Sequence, residues 1–544
     1  MSVRVMRSPI ATWAARSAPA ASLRFVEFLG ESDVRRKVGL VTVFRAGHMA
    51  VCWALGVAVI GGCARVEPTH DYGRAKDLIR QETGCDTVYD PGDESVVQAK
   101  VEELLQGGLT VDKAVSLALL NNPAFQSLFL DIGVSRADLV QSSLFTNPTL
   151  SFGGLLPEGG GRSRLTASGA QQIVDLWQIP VRKKIAQDQL DQTVLAIAFR
   201  ATTLTAEVKS QYYRVLALQQ AESITQRYVK LVEETVDLVR RRFEAGEASF
   251  FDVNLAKENV VDARLELVDL ERQRRVAEAG LVHMMGLSRR LQQCTYADQL
   301  PELTSLGADY GTLLSLADSQ RLDAQVASWK VNAADEEIVR EYLRIFPDIT
   351  LGFDFERIES RALPGRTILA DTARDSVAAG TLTAPTIQSR GQRNLERGQI
   401  IDSVLGPAIA ATLPIMDQNQ AQIAKARVRA LQARKDQNDV LDLIAEQVRE
   451  ALAVAESSAE LVRMYEEEGV PQARENVDGS RSVFQAGEQN VLVLIEAQEV
   501  LIRRQLANVN ARRDLASALA QLESAIGGRL PLTGPAATTQ PSPQ

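Results

Sequence analysis

Phe243-Glu244-Ala245-Gly246-Glu247 returns later in the chain as Phe484-Gln485-Ala486-Gly487-Glu488, a separation of 484 − 243 = 241 residues. Ahead of the first pentad, Arg182 to Arg242 holds 61 residues with no Pro or Gly. That predicts a helix of ~90 Å at 1.5 Å per residue. Leu190, Val194, Ile197, Ala201, Leu204, Val208, Tyr212 and Val215 recur along it by threes and fours, which is a seam for another helix. A glycine closing such a stretch suits a tight helix-to-helix turn. The two pentads therefore predict two long helical hairpins, with return helices running to about Gly286 and Gly527.

Outward from the turns, the duplication continues. The first copy opens with Leu109-Thr110-Val111-Asp112-Lys113-Ala114, where Thr110 is a natural N-cap, and runs through Ala118-Leu119-Leu120-Asn121-Asn122-Pro123. The second opens near Tyr310 and runs through Leu316 to Asp323. Each is followed by a helix, a Pro and a strand-like stretch: Asn147 to Gly153, then Phe346 to Phe353. In the second stretch Ile349, Leu351, Phe353 and Phe355 alternate with Thr350, Gly352, Asp354 and Glu356. Period two gives one apolar and one polar face. A second strand ending in Pro is expected at Ile173–Pro180 and at Pro407–Pro414, with the long helices starting at Arg182 and Asp417. Pro148 to Pro347 is 199 residues, Pro180 to Pro414 is 234 and Phe243 to Phe484 is 241. This places 35 extra residues between the strands of copy two and seven, one heptad, in its long helix.

Composition narrows the function. The 544 residues carry 60 basic and 69 acidic side chains, four Cys and three His. Aromatic content of 5% and only 19 Pro fit long helices. A net charge of −9 argues against nucleic acid as partner. There is no long uncharged run repeated along the chain, so a polytopic helical membrane protein is excluded. His48, His70 and His283 build neither a His-rich metal site nor a nucleophile–His–acid set. No Gly-rich phosphate loop precedes a helix. Neither enzyme nor cofactor is expected, and Arg240, Arg241 and Arg242 read as a solvated helix face.

The N-terminus carries an address. Met49 to Gly62 is a 14-residue apolar run preceded by Arg35, Arg36, Lys37 and Arg45, the layout of a signal peptide. It ends in Ile60-Gly61-Gly62-Cys63, which resembles a bacterial lipobox, so Cys63 is expected to be the lipidated N-terminus. The alternative is an ordinary secretory signal with an incidental Cys. Ala64, which is not Asp, implies sorting to the outer membrane in the lipoproteins this resembles. Arg4, Arg7, Arg16 and Arg24 ahead of any acid suggest an over-extended gene start. Residues 1–62 hold eight basic and three acidic side chains, so the mature chain would carry −9 − 5 = −14. Cys85 and Cys294 would then pair in an oxidising periplasm or persist as two inert thiols.

Four amphipathic strands cannot close a barrel, since about eight are needed. Open edges suit neither water nor lipid, so three chains supplying 12 strands are expected. Two soluble β-hairpins capping a coiled coil are the alternative. The fold class is mainly α with a small membrane β part. The duplicated unit is a helix, two strands and a long helical hairpin, trimerising into a 12-stranded β-barrel continued by an α-helical barrel. The expected divisions are 1–62 (over-extended start and signal peptide), 63–108 (linker), 109–300 and 301–528 (the repeats), and 529–544 (a disordered tail).

Across residues 109–528 the sequence resembles the TolC-type outer-membrane efflux family. The motifs are Ala118-Leu119-x-x-Asn122-Pro123, Asn147-Pro148-x-Leu150, Leu413-Pro414-Ile415-Met416-Asp417, and the paired Phe-x-Ala-Gly-Glu turns with Asp252-Val253 and Leu492-Val493 after them. The resemblance implies a homotrimeric exit duct in outer-membrane lipid, docked by its helical tips to a periplasmic adaptor and an inner-membrane pump. It implies a periplasmic gate at Phe243, Gly246, Phe484 and Gly487, lined by Asp252 and by a threefold ring of Glu496. Pairing of Glu496 with Arg503 or Arg504 is the competing reading. The sequence departs from the family at Arg321-Leu322-Asp323, where many members keep a Pro, and at Gln489, where some carry a basic latch. The segment from about Glu356 to Ser403 is longer than usual and is expected to project from the barrel. The rival class is a periplasmic coiled-coil adaptor or a structural lipoprotein without a channel. An adaptor would need a β-rich lipoyl-like half and a single hairpin. Seven Met and three His in no cluster give no sign of metal export.

Overall fold

The structure is a computed structural model that describes residues 64–92, 94–156, 163–290, 294–301, 309–359, 377–380 and 401–530. From Val66 onward the chain forms one compact unit. The apolar run Met49–Gly62, the lipobox Cys63 and residues 531–544 of the tail lie outside the described residues, as does most of the long loop.

Two short helices come first, α1 (Thr69–Thr83) and α2 (Glu94–Leu105). The first copy then runs α3 (Val111–Asn121), α4 (Pro123–Ser142), β1 (Thr149–Leu155), β2 (Arg164–Gln172), α5 (Asp175–Glu244) and α6 (Phe250–Met284). The second runs α7 (Tyr310–Gln320), α8 (Leu322–Leu343), β3 (Asp348–Glu359), β4 (Ile401–Thr412), α9 (Gln420–Met464), a π turn (Tyr465–Gly469), α10 (Val470–Ala486) and α11 (Val491–Ile526). The duplicated unit is thus helix pair, strand pair, helical hairpin, twice over.

Local chemistry sets these boundaries. Thr110 caps α3 by accepting from the Lys113 N–H at 3.3 Å, and Asn490 caps α11 through the Leu492 N–H at 3.4 Å. Gly246 (φ +77°) and Gly487 (φ +82°) stand at the hairpin turns in the left-handed region, where a Cβ is penalised. Along α5 the eight seam residues are all buried. Each such aliphatic side chain contributes roughly 1.5–3 kcal/mol on leaving water. α5 packs against α4, α6, α8 and α11, whereas α9 packs against α7, α8 and α11.

The strands form one antiparallel sheet in the order β1-β2-β3-β4, so the two copies join at β2–β3. Register sorts the side chains. Leu150, Phe152, Leu165, Phe353, Phe355, Leu405 and Ile409 share one face. Ser151, Thr166, Ser168, Asp354, Glu356 and Arg164 share the other, joined by Leu155 and Val404. On the polar face Arg164 pairs with Glu356, and the Ser151 and Ser168 hydroxyls lie 2.7 Å apart.

Several expectations need correction. Ile173–Pro180 is not a strand; β2 lies earlier, and Pro180 sits inside α5. The apolar run Ile173-Val174-x-Leu176-Trp177 looks like a strand, but Asp175 makes it a helix start. Its carboxylate accepts from the Thr146 N–H at 2.6 Å and pairs with Arg182 at 2.9 Å. Burial pushes that carboxyl up, yet these two partners outweigh it and hold it below its ordinary value. In copy two the strand spans Ile401–Thr412 rather than Pro407–Pro414, and α9 starts at Gln420 rather than Asp417.

Pro180 and Pro414 are consequently not equivalent, and the extra heptad disappears. Strand end to tip is 243 − 172 = 71 residues in copy one and 484 − 412 = 72 in copy two. The π turn at Tyr465–Gly469 lies within copy two's helix. A π turn is how an α-helix accommodates one inserted residue. Positions therefore correspond at an offset of 240 above it and 241 below.

Candidate functional site

The hairpin tips are held together by a small core of their own. Val236 and Val239 of α5 and Val253 and Ala256 of α6 meet Phe484, Val491, Leu494 and Ile495 of the second hairpin. Phe484 is 4% exposed, whereas its repeat partner Phe243 is 42% exposed. Phe243 instead sits beside Phe250, ring centroids 6.4 Å apart, and Phe251 next to them is also exposed.

Arg242 explains part of this asymmetry. Its guanidinium lies 4.7 Å from the centroid of the Phe484 ring, donates to the Phe484 carbonyl and stands 3.4 Å from Glu247. The side chain is only 14% exposed, so the expectation of a solvated face fails for this arginine. A Cβ at Gly487 would lie 3.2 Å from Arg242 Nη2; glycine there serves both the positive φ and the arginine. Two turns higher, Gln498 Nε2 donates to Thr235 Oγ1 at 2.9 Å in a buried cross-hairpin bond. Sequence reading missed Arg242, Thr235, Gln498 and the Phe250–Phe251 pair. Gln498 did carry a signal, being a polar residue in the phase of an apolar stripe.

The remaining tip residues separate. Asp252 closes a capping box: its Oδ2 accepts from the Ser249 N–H at 2.8 Å and the Ser249 hydroxyl at 2.7 Å, while its own N–H donates to Ser249 Oγ at 3.1 Å. That holds the α6 start. Glu496 is exposed, and among the described residues no ion pair reaches it. Arg503 pairs with Glu499 at 3.5 Å, not with Glu496.

At the other end of each hairpin the return helix meets the opening helix pair. Asn122 caps α4 through the Ala124 and Phe125 N–H groups, at 2.9 and 3.2 Å. Its amide donates to the Met284 carbonyl at 2.8 Å, and Asn121 donates to the Met285 and Gly286 carbonyls at 3.0 and 3.1 Å. In copy two Arg321, 2% exposed, donates to the Ser524 and Ala525 carbonyls at 3.4 and 3.1 Å. It also pairs with Asp323 and lies 5.1 Å over the Phe199 ring. The departure at Arg321-Leu322-Asp323 is thus a different cap for the same helix end.

The two thiols are free, so the disulfide alternative is not realised. Cys85 is buried with its Sγ 3.2 Å from Ser116 Oγ, and burial pushes the Cys294 thiol up. Among the described residues no group of His, Cys, Asp and Glu could hold a metal, and no helix is long and apolar enough to cross a membrane.

A two-faced sheet continued by duplicated hairpins is matched by a known pattern. The Outer membrane efflux protein family matches residues 114–287 and 313–528, most of the chain. The chain belongs to this family. Outer-membrane efflux is the activity that this membership gives it. Among its relatives, the pyoverdine export outer membrane protein OpmQ of Pseudomonas aeruginosa is 25% identical over 424 residues, 76% of this chain and 79% of that one. The toxin and drug export protein A of Aggregatibacter actinomycetemcomitans is 24% identical over 251 residues, and the match spans 55% of its length. The crystal structure of the outer membrane protein VceC from Vibrio cholerae shares the fold, with a TM-score of 0.58 at 16% identity. That match covers 79% of this chain and 97% of VceC.

Proposed function

We propose that this family member is the outer-membrane exit duct of a tripartite efflux or secretion system, assembled as a homotrimer. The sheet carries the reading. Its apolar face is exposed, its opposite face is mostly polar, and β1 and β4 each pair on one side only among the described residues. A lipid-facing and a lumen-facing surface on the same strands is what a membrane barrel requires, and open edges require closure. Three copies give 12 strands, within the range of membrane barrels.

The helices support the same closure. α9 packs against α7, α8 and α11, yet apolar side chains such as Val428, Leu431 and Leu461 lie exposed on it. The tips would meet a periplasmic adaptor and, through it, an inner-membrane pump. Cys63 would anchor the mature N-terminus by lipid, adding to the far larger apolar surface of the barrel. Glu496 is exposed near the tip, and in a trimer it would form a ring of like charge that draws cations into the mouth. Asp252 acts on the gate through the α6 cap rather than as a lining carboxylate.

Two experiments test this. A soluble adaptor needs no detergent once the lipid is removed; a Cys63→Ala chain that stays soluble without detergent contradicts the duct. In single-channel recording, Glu496→Gln is expected to lower cation preference. Unchanged selectivity in intact trimers would sink the ring.

A further inference from the structure

Halfway up the helices, well away from the tips, the wall holds a cavity of about 710 Å³ between α5 and α9, floored by the end of α11. That is the size of a small-molecule site, ~300–1,000 Å³. Helix phase says which way it opens. On α5, Tyr212 turns toward the short helices and donates to the Leu109 carbonyl at 2.7 Å. Ser210 and Arg214, which line the cavity, each stand two residues from Tyr212, about 200° around the helix. On α9, Val448 packs with Leu313 and Ala317 of α7, and Glu450, again two residues away, lines the cavity.

The duplication repeats this arrangement. At the offset of 240, Glu207, Ser210 and Gln211 correspond to Gln447, Glu450 and Ala451, and all six line the cavity. Both long helices therefore turn the same face to it, away from α3 and α7. Short helices on the lumen side would plug a duct, so the face they leave free is the lumen.

The charges of the lining are not balanced in place. Glu207 is held by Arg200 through two bonds of 2.8 and 3.2 Å, and Arg513 lies 2.7 Å from Asp514. Arg214 on α5 and Glu450 on α9 are both exposed, and among the described residues neither has an ion pair. They line one cavity from two walls without bonding each other. Ser517 and Gln521 of α11 add a hydroxyl and an amide to the floor, and Ser210 Oγ is buried with no hydrogen-bond partner. A molecule carrying both signs of charge would satisfy these groups together.

We propose that this cavity is a resting site in the duct wall for zwitterionic small molecules, with the carboxylate at Arg214 and the ammonium at Glu450. The inference rests on the duct reading above and names a class of cargo that the wall recognises. Three copies of the chain place three such sites around the lumen at one level. Both charges stand at the edge of water, which weakens each contact, so cargo is slowed there without being retained.

Block of single-channel current by two related penicillins tests the site. The full-length protein in a planar bilayer is given ampicillin at about pH 6, where its ammonium and carboxylate are both charged. Benzylpenicillin, which has the carboxylate and lacks the amine, is the comparison. Ampicillin is expected to block in resolved events, and Arg214→Gln or Glu450→Gln should each shorten its dwell time about tenfold. Benzylpenicillin should lose dwell time with Arg214→Gln and not with Glu450→Gln. Conducting channels that ampicillin does not block, or an ampicillin dwell time unchanged in either variant, overturn the site and leave the duct standing. Protein that forms no conducting pore overturns the duct reading itself.

Discussion

The two return helices end in the same backbone and are held by different chemistry. Gly286 (φ +71°) and Gly527 (φ +73°) both turn left-handed after the last helical residues. In copy one, two asparagine amides take the final carbonyls; in copy two a single buried guanidinium does so, tied to its own aspartate. Asn122 and Arg321 even share backbone angles, φ −70° and ψ 116° against φ −59° and ψ 119°. Duplication fixed the geometry and left the side chains free to diverge, provided every helix-end carbonyl kept a donor. The tips show the same rule with a functional cost: Phe484 is locked by Arg242, while Phe243 is left bare.

Substitutions at matched positions can break this comparison. The largest effect is expected at Gly286. A Cβ there would lie 2.2 Å from the Asn121 carbonyl oxygen, which is backbone and cannot yield, whereas at Gly527 the nearest atom is Arg321 N at 3.1 Å. Gly286→Ala should cost more than about 4 kcal/mol and Gly527→Ala about 2 kcal/mol, read as thermal unfolding of the detergent-extracted protein. Equal costs would mean that the closer backbone contact at Gly286 carries no weight. Next, Arg321→Ala leaves Asp323 unpaired and two carbonyls without a donor, for a loss of about 3 kcal/mol. Asn122→Ala, which removes a neutral cap, should lose about 1–2 kcal/mol.

Arg242→Ala sharpens the tip comparison. Losing a partly desolvated cation–π contact and a hydrogen bond to a carbonyl amounts to about 1–2 kcal/mol. That should raise open probability in single-channel recording, while Val483→Ala at the matched place should change it less. Asp252→Ala is expected to raise it by fraying the α6 start.

The smallest effect concerns Glu82 at the end of α1. Burial raises its carboxyl to about 7 beside the Lys209–Glu523 pair. The folded chain therefore holds a proton that the unfolded chain has already released, and stability falls as pH rises from the ordinary carboxylate range through about 7. Glu82→Gln should stabilise the protein at pH 8 by about 1 kcal/mol after allowing for solvent screening, with no gain below pH 4. A flat difference across pH would contradict it.

Much of this was legible in the residues themselves. The paired pentads placed both hairpin turns, the run from Arg182 to Arg242 predicted a helix that α5 contains, and the alternation from Ile349 to Phe355 placed β3. The strand at Ile173–Pro180 misled because a short apolar run has no period of its own; a buried Asp175, read only in three dimensions, decides for helix. No heptad is inserted, because proline fits both a helix and the end of a strand: Pro180 lies inside α5, whereas Pro414 follows β4. Arg242 was unreadable for another reason. Nothing in a run of three arginines says which one faces a neighbouring ring 242 residues away.

Electron cryomicroscopy of the detergent-extracted protein tests the duct most directly. The account predicts a threefold particle in which three four-stranded sheets close one barrel and six helical hairpins close one tunnel beneath it. A single chain with its sheet edges open, or any assembly without a continuous channel, would contradict it.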